Sequence, residues 1–211
     1  MASLRLTGSI LVATAAAAAL GLSALPASAA ISATTYKVTP GGSFTGKSGT
    51  TTLTDTNTGT QLVCKSAAAS GTLKSGSGLA GAGLGSIKTI SFTTCTGPLG
   101  LTFTVKPAHL PWTLNATSYK SGVTKGTITG IHATLSGTGC TATVDGTSAT
   151  ADNGKVAITY TNSSAKLAVL AAGGNLHVYN VSGCAGLLNS GDASTFVASF
   201  AVSPKQTITG S

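Results

Sequence analysis

The sequence predicts an all-β protein: an antiparallel β-sandwich or barrel-like domain with two disulfides, behind an N-terminal signal peptide. Three observations predict it. Short runs of Thr, Val, Ile, Phe and Tyr alternate with polar residues, as a pleated, half-buried surface requires. Gly-rich and Asn/Asp-rich turns separate those runs at roughly ten-residue spacing. Four cysteines, an even number, stand far apart behind what reads as an export signal.

Taken in chain order, the signal comes first. Arg5 supplies the positive start, and an apolar run follows from Ile10 to Leu25, interrupted only by Thr14, Gly21 and Ser23. Pro26 ends the run, and Ala27-Ser28-Ala29 is a small-x-small cleavage site. The expected division is a signal peptide over residues 1–29 and one secreted all-β domain over 30–211. The run is short for a membrane span, no cysteine follows it, and the tail Ser203–Ser211 carries no apolar stretch. The expected location is therefore extracellular, with no stable membrane anchor after cleavage.

Gly41-Gly42-Ser43-Phe44-Thr45-Gly46-Lys47-Ser48 fits the phosphate-cradling pattern G-x-x-x-x-G-K-[ST]. That loop works only when a helix follows and aims its N-terminal amides at phosphate. Here Gly49-Thr50-Thr51-Thr52-Leu53-Thr54 follows, a β-branched run that resists helix formation. Ser43 to Leu53 is better read as paired strands. The stretch Gly71 to Gly85 is low in complexity and reads as a mobile loop or a plain strand pair, with a turn at Gly76-Ser77-Gly78. Clear strands follow at Ser86–Thr93, at Leu101–Lys106 with Leu101, Phe103 and Val105 inward, and at Lys155–Tyr160, Asn175–Tyr179 and Thr195–Val202. Asp145-Gly146, Asp152-Asn153-Gly154 and Ala172-Gly173-Gly174 read as turns. Cys184 to Leu188 is the one candidate for a short helical turn. Gly85–Ile90 has a faint echo in Gly126–Ile131, and each copy runs on to a cysteine.

Cys64, Cys95, Cys140 and Cys184 permit three pairings. Cys64–Cys95 with Cys140–Cys184 is favoured, since each bridge then closes one half of the domain. Each contributes about 3–4 kcal/mol on the chain-entropy model. A zinc site would bring cysteines in close pairs, which these are not.

The formal net charge is +8, yet Arg5 is the only arginine and no glutamate occurs. The lysines are scattered from Lys37 to Lys205, with neither the clustering nor the interleaved aromatics of a nucleic-acid binder. No nucleic-acid partner is expected. Weak attraction to anionic surface polymers is. Asp55, Asp145, Asp152 and Asp192 are the whole acidic complement. Asp145 and Asp152 sit in turns, where Asp recurs for backbone reasons. No serine lies in G-x-S-x-G. A triad would need His109, His132 or His177 to meet one of the aspartates through the fold. His109 reads as a loop residue, and His132 as sharing a polar strand face with Thr134. The expected catalytic, cofactor and metal residues are accordingly none.

Trp112, the sole tryptophan, is the candidate ligand contact. An exposed ring there would stack on a ligand. The alternative is a core anchor, because Leu110, Trp112 and Leu114 alternate onto one face. Tyr119, Tyr160 and Tyr179 read as half-buried strand residues.

Gly42–Gly46, Gly71-Thr72-Leu73, Gly85–Cys95, Leu110–Leu114 and Gly126–Cys140 together resemble a family of small exported actinomycete proteins without assigned activity. The Leu-Pro-Trp-Thr element between Cys95 and Cys140 more distantly resembles exported pseudomonad proteins named as activators of alkane oxidation. That likeness implies work at an apolar interface rather than bond-breaking. The expected function is a non-enzymatic β-domain acting at the cell surface or in the matrix, with self-association or surface polymers as partners. The alternative is an extracellular carrier of an apolar or amphipathic small molecule. A secreted hydrolase stands third.

Overall fold

The computed structural model describes residues 34–211, so the expected signal peptide lies outside the described residues. The chain is all β. β1 (Thr35–Thr39), β2 (Gly42–Ser48), β3 (Thr51–Asp55), β4 (Gln61–Leu73), β5 (Gly76–Ala80) and β6 (Gly85–Thr96) form the first half. A 3-10 turn at Pro98–Gly100 leads to β7 (Thr102–Ala108), β8 (Trp112–Lys120), β9 (Val123–Gly137), β10 (Cys140–Asp145) and β11 (Gly154–Thr161). β12 (Lys166–Leu170), β13 (His177–Ser182), β14 (Ser194–Ser203) and β15 (Thr207–Gly210) complete it.

Twelve strands form one antiparallel sheet that curls into a near-ring. Its long strands β4, β6, β9 and β14 run the height of the wall, and shorter strands relay one another in the places between. β2 and β3 lie end to end between β4 and β14. β7 and β8 share the place between β6 and β9. β10 and β11 share the other side of β9. At the upper level the ladders run unbroken through β9, β11, β12, β14, β2, β4, β6 and β8 and back to β9. At the lower level β10 and β13 replace β11 and β12, and only the bridge His177–Ala193 ties β13 toward β14. A ring of this size has an interior that side chains can just fill, or that can hold one small ligand.

Alternation sets the lining. Along β11 every second residue from Gly154 to Tyr160 is buried. On β2 the buried residues are Phe44, Gly46 and Ser48. Gly71 of β4 pairs with Phe44, and a Cβ there would strike the Ser86 carbonyl and the Phe44 ring, so only glycine fits. The outer face of the β4–β6 ladder is a run of cross-strand hydroxyl pairs: Ser66–Thr93 at 2.5 Å, Ser70–Thr89 at 2.7 Å and Thr72–Ser86 at 3.2 Å.

Both ends of the ring are covered. A second sheet, in the order β15-β1-β5, packs Tyr36, Val38 and Ile208 against Leu84, Ala116 and Tyr160 at the upper end. At the lower end, Ala185, Leu187 and Leu188 and the turn at Pro98 close over Leu62, Phe103 and Val178. Both expected disulfides are present: Cys64–Cys95 joins neighbours on β4 and β6, and Cys140–Cys184 ties β10 to the lower cover.

Three local expectations differ from the structure. The segment Ser43–Leu53 is strand, but β2 and β3 do not pair with each other. Both strands run antiparallel to β4 and β14, so the chain keeps its direction across the Gly49-Thr50 break and continues along the same two neighbours. Gly76-Ser77-Gly78 is not a turn but part of β5, recruited by the ladder with β1, which glycine's φ freedom permits. Cys184–Leu188 forms a turn, with Leu187 N–H donating to the Cys184 carbonyl, and no helix. The two echo segments lie in β6 and β9, on either side of β8. Among the described residues no helix is long and apolar enough to cross a membrane.

Candidate functional site

Two places combine unusual chemistry with a definite geometry: the interior of the ring, and a corner of its wall where β9 changes partners.

The interior is a chain of adjoining apolar cavities along the ring. The central one, about 90 Å³, is walled by Phe44, Phe92, Trp112, Leu135, Phe196 and Phe200 among others. A lower cavity of about 80 Å³ shares Leu53, Leu62 and Leu135 with it. An upper one of about 50 Å³ shares Phe44, Leu114, Leu167 and Val202. Native interiors normally leave few voids larger than a water molecule, so this much apolar space is a feature needing explanation.

Trp112 belongs to this wall. It opens β8 with 5% of its surface exposed, beside buried Leu114 and half-buried Leu110, and its indole N–H donates to the Ala108 carbonyl at 3.0 Å. The core-anchor alternative therefore describes its burial, while its face still looks into the central cavity. Tyr119 and Tyr179 are half-buried, and Tyr160 is buried. Burial raises the pKa of Tyr160, partly countered by its hydrogen bond to the Gln206 carbonyl, and burial likewise raises that of Tyr36.

Several buried polar atoms on these cavities have no hydrogen-bond partner: Thr51 Oγ1 at the centre, Thr124 Oγ1 above, and Asp55 Oδ2 and Ser194 Oγ below. Asp55 and Ser194 are direct cross-strand partners, 2% and 6% exposed. Asp55 Oδ1 accepts the N–H groups of Asn57 and Thr58 and so builds the β3–β4 turn, which leaves Oδ2 free. A buried polar atom without a partner costs about 1–3 kcal/mol, so an unpaired carboxylate oxygen and an unpaired hydroxyl at one end of an apolar chamber are an expensive arrangement to keep.

The wall has a gap. β6 pairs with β8 over Gly85–Ile87 and with β7 over Cys95–Thr96, and between these the β6 edge has no ladder on that side. Half-buried Ile90 and Phe92 flank it from β6, and half-buried Val105 from β7.

The corner lies on the outer side of the wall. β9 gives its first half to β8 and β11 and its second half to β7 and β10. A bulge at Gly130 marks the change, since Gly154 pairs with Ile131 but Lys155 with Thr129. His132 follows on the polar face with Thr134, as expected, but is 8% exposed, because the β7–β8 and β10–β11 connections fold over it. Asp145, fully buried, receives Gly146, Asn153 and Gly154 N–H on Oδ1, and Asp152 N–H and His132 Nδ1 (2.9 Å) on Oδ2. Burial raises its pKa, but these hydrogen bonds outweigh that and hold it below the usual carboxylate range. Asp152 Oδ1 stands 2.5 Å from His109 Nδ1 and 3.1 Å from His132 Nδ1. The two imidazoles lie 4.4 Å apart, centre to centre.

The turn reading of Asp145 and Asp152 thus holds for the backbone and understates the side chains. Nothing local in the sequence pairs residue 109 with 152 or 132 with 145. The one local signal is an imidazole sharing a polar strand face with Thr134. His177 is the cross-strand partner of Asp145, with its Nδ1 facing the Gly146 and Asn175 carbonyls. Asp192 braces Asn189. Among the described residues no imidazole hydrogen-bonds to a hydroxyl, so the corner brings His to Asp without a serine or threonine nucleophile in contact. No family model, curated protein or solved structure matches this chain.

Proposed function

We propose that this protein is a non-catalytic extracellular binding domain whose ring interior holds a chain-shaped amphipathic small molecule. The observation that carries this reading is the apolar cavity chain ending at the orphaned pair Asp55 Oδ2 and Ser194 Oγ. An alkyl chain would fill the cavities. A head group that donates hydrogen bonds, an alcohol or amine, would satisfy the lower acceptors. The gap beside β6 would admit the ligand past Ile90 and Phe92. Two disulfides fit an oxidising, extracellular setting.

The test uses Trp112 as its reporter. Titration with decanol and decylamine should give a saturable change in tryptophan fluorescence. Decanoate should bind at least ten-fold more weakly, because its carboxylate meets Asp55. No saturable response to any of the three would defeat the reading.

A second reading has its own observation. β5 pairs only with β1 and leaves its other edge open and exposed, and the β4–β6 face is a hydroxyl array. An open edge can add a strand from another copy, which suits a structural or adhesive role at a cell surface. Light scattering over a range of protein concentrations tests it, and a strict monomer counts against it.

A further inference from the structure

We propose that the corner on β9 is a binding site for one divalent first-row transition ion of the kind imidazole prefers, zinc or copper. His109, His132 and Asp152 supply the ligands, and Asp145 holds the connection that carries Asp152. Nitrogens of both histidines and a carboxylate oxygen of Asp152 lie within 4.8 Å of one another.

Hydrogen bonding leaves one close approach of this arrangement, His132 Nδ1 to Asp152 Oδ1, without a proton of its own. Asp152 Oδ1 is approached by two ring nitrogens, His109 Nδ1 and His132 Nδ1. His132 Nδ1 in turn faces two carboxylates, Asp145 Oδ2 at 2.9 Å and Asp152 Oδ1 at 3.1 Å. One N–H can point well at only one of them. A single metal ion would satisfy His109, His132 and Asp152 at once, because its field has no such one-partner limit. Tetrahedral ligands at zinc's ordinary bond lengths of about 2.1 Å stand about 3.4 Å apart, so the three groups need shift by only about an ångström.

The supports of the site are graded as metal sites are. Asp145 is fully buried and pinned by four backbone N–H groups, which fixes the β10–β11 connection that presents Asp152 to the histidines. His109 and Asp152 come from the two covering connections and are half-exposed, which leaves an entry path and an open coordination position. Both also sit in the left-handed region, at φ +53° and +51°. Neither residue is glycine, so each backbone is held there at some cost, and both side chains turn onto His132.

The donor set selects among metals. Two imidazoles with carboxylate favour zinc, copper or nickel, whereas calcium wants six or more oxygens. This inference does not depend on what the ring interior holds.

The experiment uses tag-free protein. Calorimetric titration with zinc chloride should show one site per chain. His109→Ala should weaken binding at least ten-fold, and His132→Gln more. Asp192→Asn, which alters a carboxylate outside the corner, should leave the affinity within two-fold. Copper(II) electron paramagnetic resonance should show hyperfine coupling to two imidazole nitrogens, and to one in His109→Ala. His109 lies on an exposed connection, so that variant keeps its fold by circular dichroism and carries the test if His132→Gln does not. Zinc binding equal in wild type and His109→Ala, or no saturable heat at all, would overturn the proposal.

Discussion

Asp145 and Asp55 are both buried aspartates at strand ends, and they are built in opposite ways. Asp145, in the wall beside His132, has both oxygens engaged by four backbone N–H groups, with His132 Nδ1 against Oδ2. Asp55, at the lower end of the interior, uses Oδ1 for its own turn and leaves Oδ2 without a partner. The difference separates two uses of a costly group. A carboxylate ringed by backbone N–H groups is a scaffold that fixes a connection and whatever side chain leans on it. A carboxylate with one idle oxygen against an apolar cavity retains an unused acceptor.

The sharpest way to break the comparison is Asp145→Ala. It strands four backbone N–H groups and an imidazole, so unfolding in urea should show a loss of about 3–5 kcal/mol. A loss below about 1 kcal/mol would mean that the β10–β11 connection holds itself without the carboxylate.

Next in size is Gly71→Ala, which probes the packing that defines the interior. Its Cβ would strike the Ser86 carbonyl and the Phe44 ring. Forcing them apart should cost about 1–3 kcal/mol, read from the same denaturation. A neutral result would show that the ring wall at Phe44 is slack enough to move.

The pH dependence sharpens the contrast further. The folded pKa of Asp145 lies below its ordinary value, so its contribution is present above about pH 4 and lost as pH falls through the folded value. Asp145→Asn should therefore flatten the stability profile below about pH 4. An unchanged acid limb would remove Asp145 from the account of acid unfolding.

The smallest effect belongs to Asp55→Asn. The amide oxygen can still accept Asn57 and Thr58, and the NH₂ replaces the idle oxygen beside Ser194, so stability should change by less than about 1 kcal/mol. A loss above about 2 kcal/mol would show that Oδ2 has an internal role and is not an open anchor. The same variant should lower decylamine affinity at least ten-fold.

Local pattern carried much of the fold. The alternation of Leu101, Phe103 and Val105 gave the inward face of β7, and the turns at Asp145-Gly146 and Asp152–Gly154 bound β10 and β11. Cysteine spacing gave both bridges. It failed where a ladder overruled composition: glycine-rich β5 became strand because β1 needed a partner, and β2 and β3 continue one place instead of pairing. His132 could be assigned to an outer strand face, yet its burial beneath two connections had no local signature.

By itself, the sequence determined that this chain is β, where most strands run, and that it is stapled twice, because side-chain alternation and turn chemistry act over a few residues. Tertiary structure alone decided that the sheet curls into a near-ring with apolar space inside. It alone brought residues 109, 132, 145 and 152 to one point. Ring closure and convergence depend on register between strands distant in the chain, and a period-two pattern fits several registers equally well.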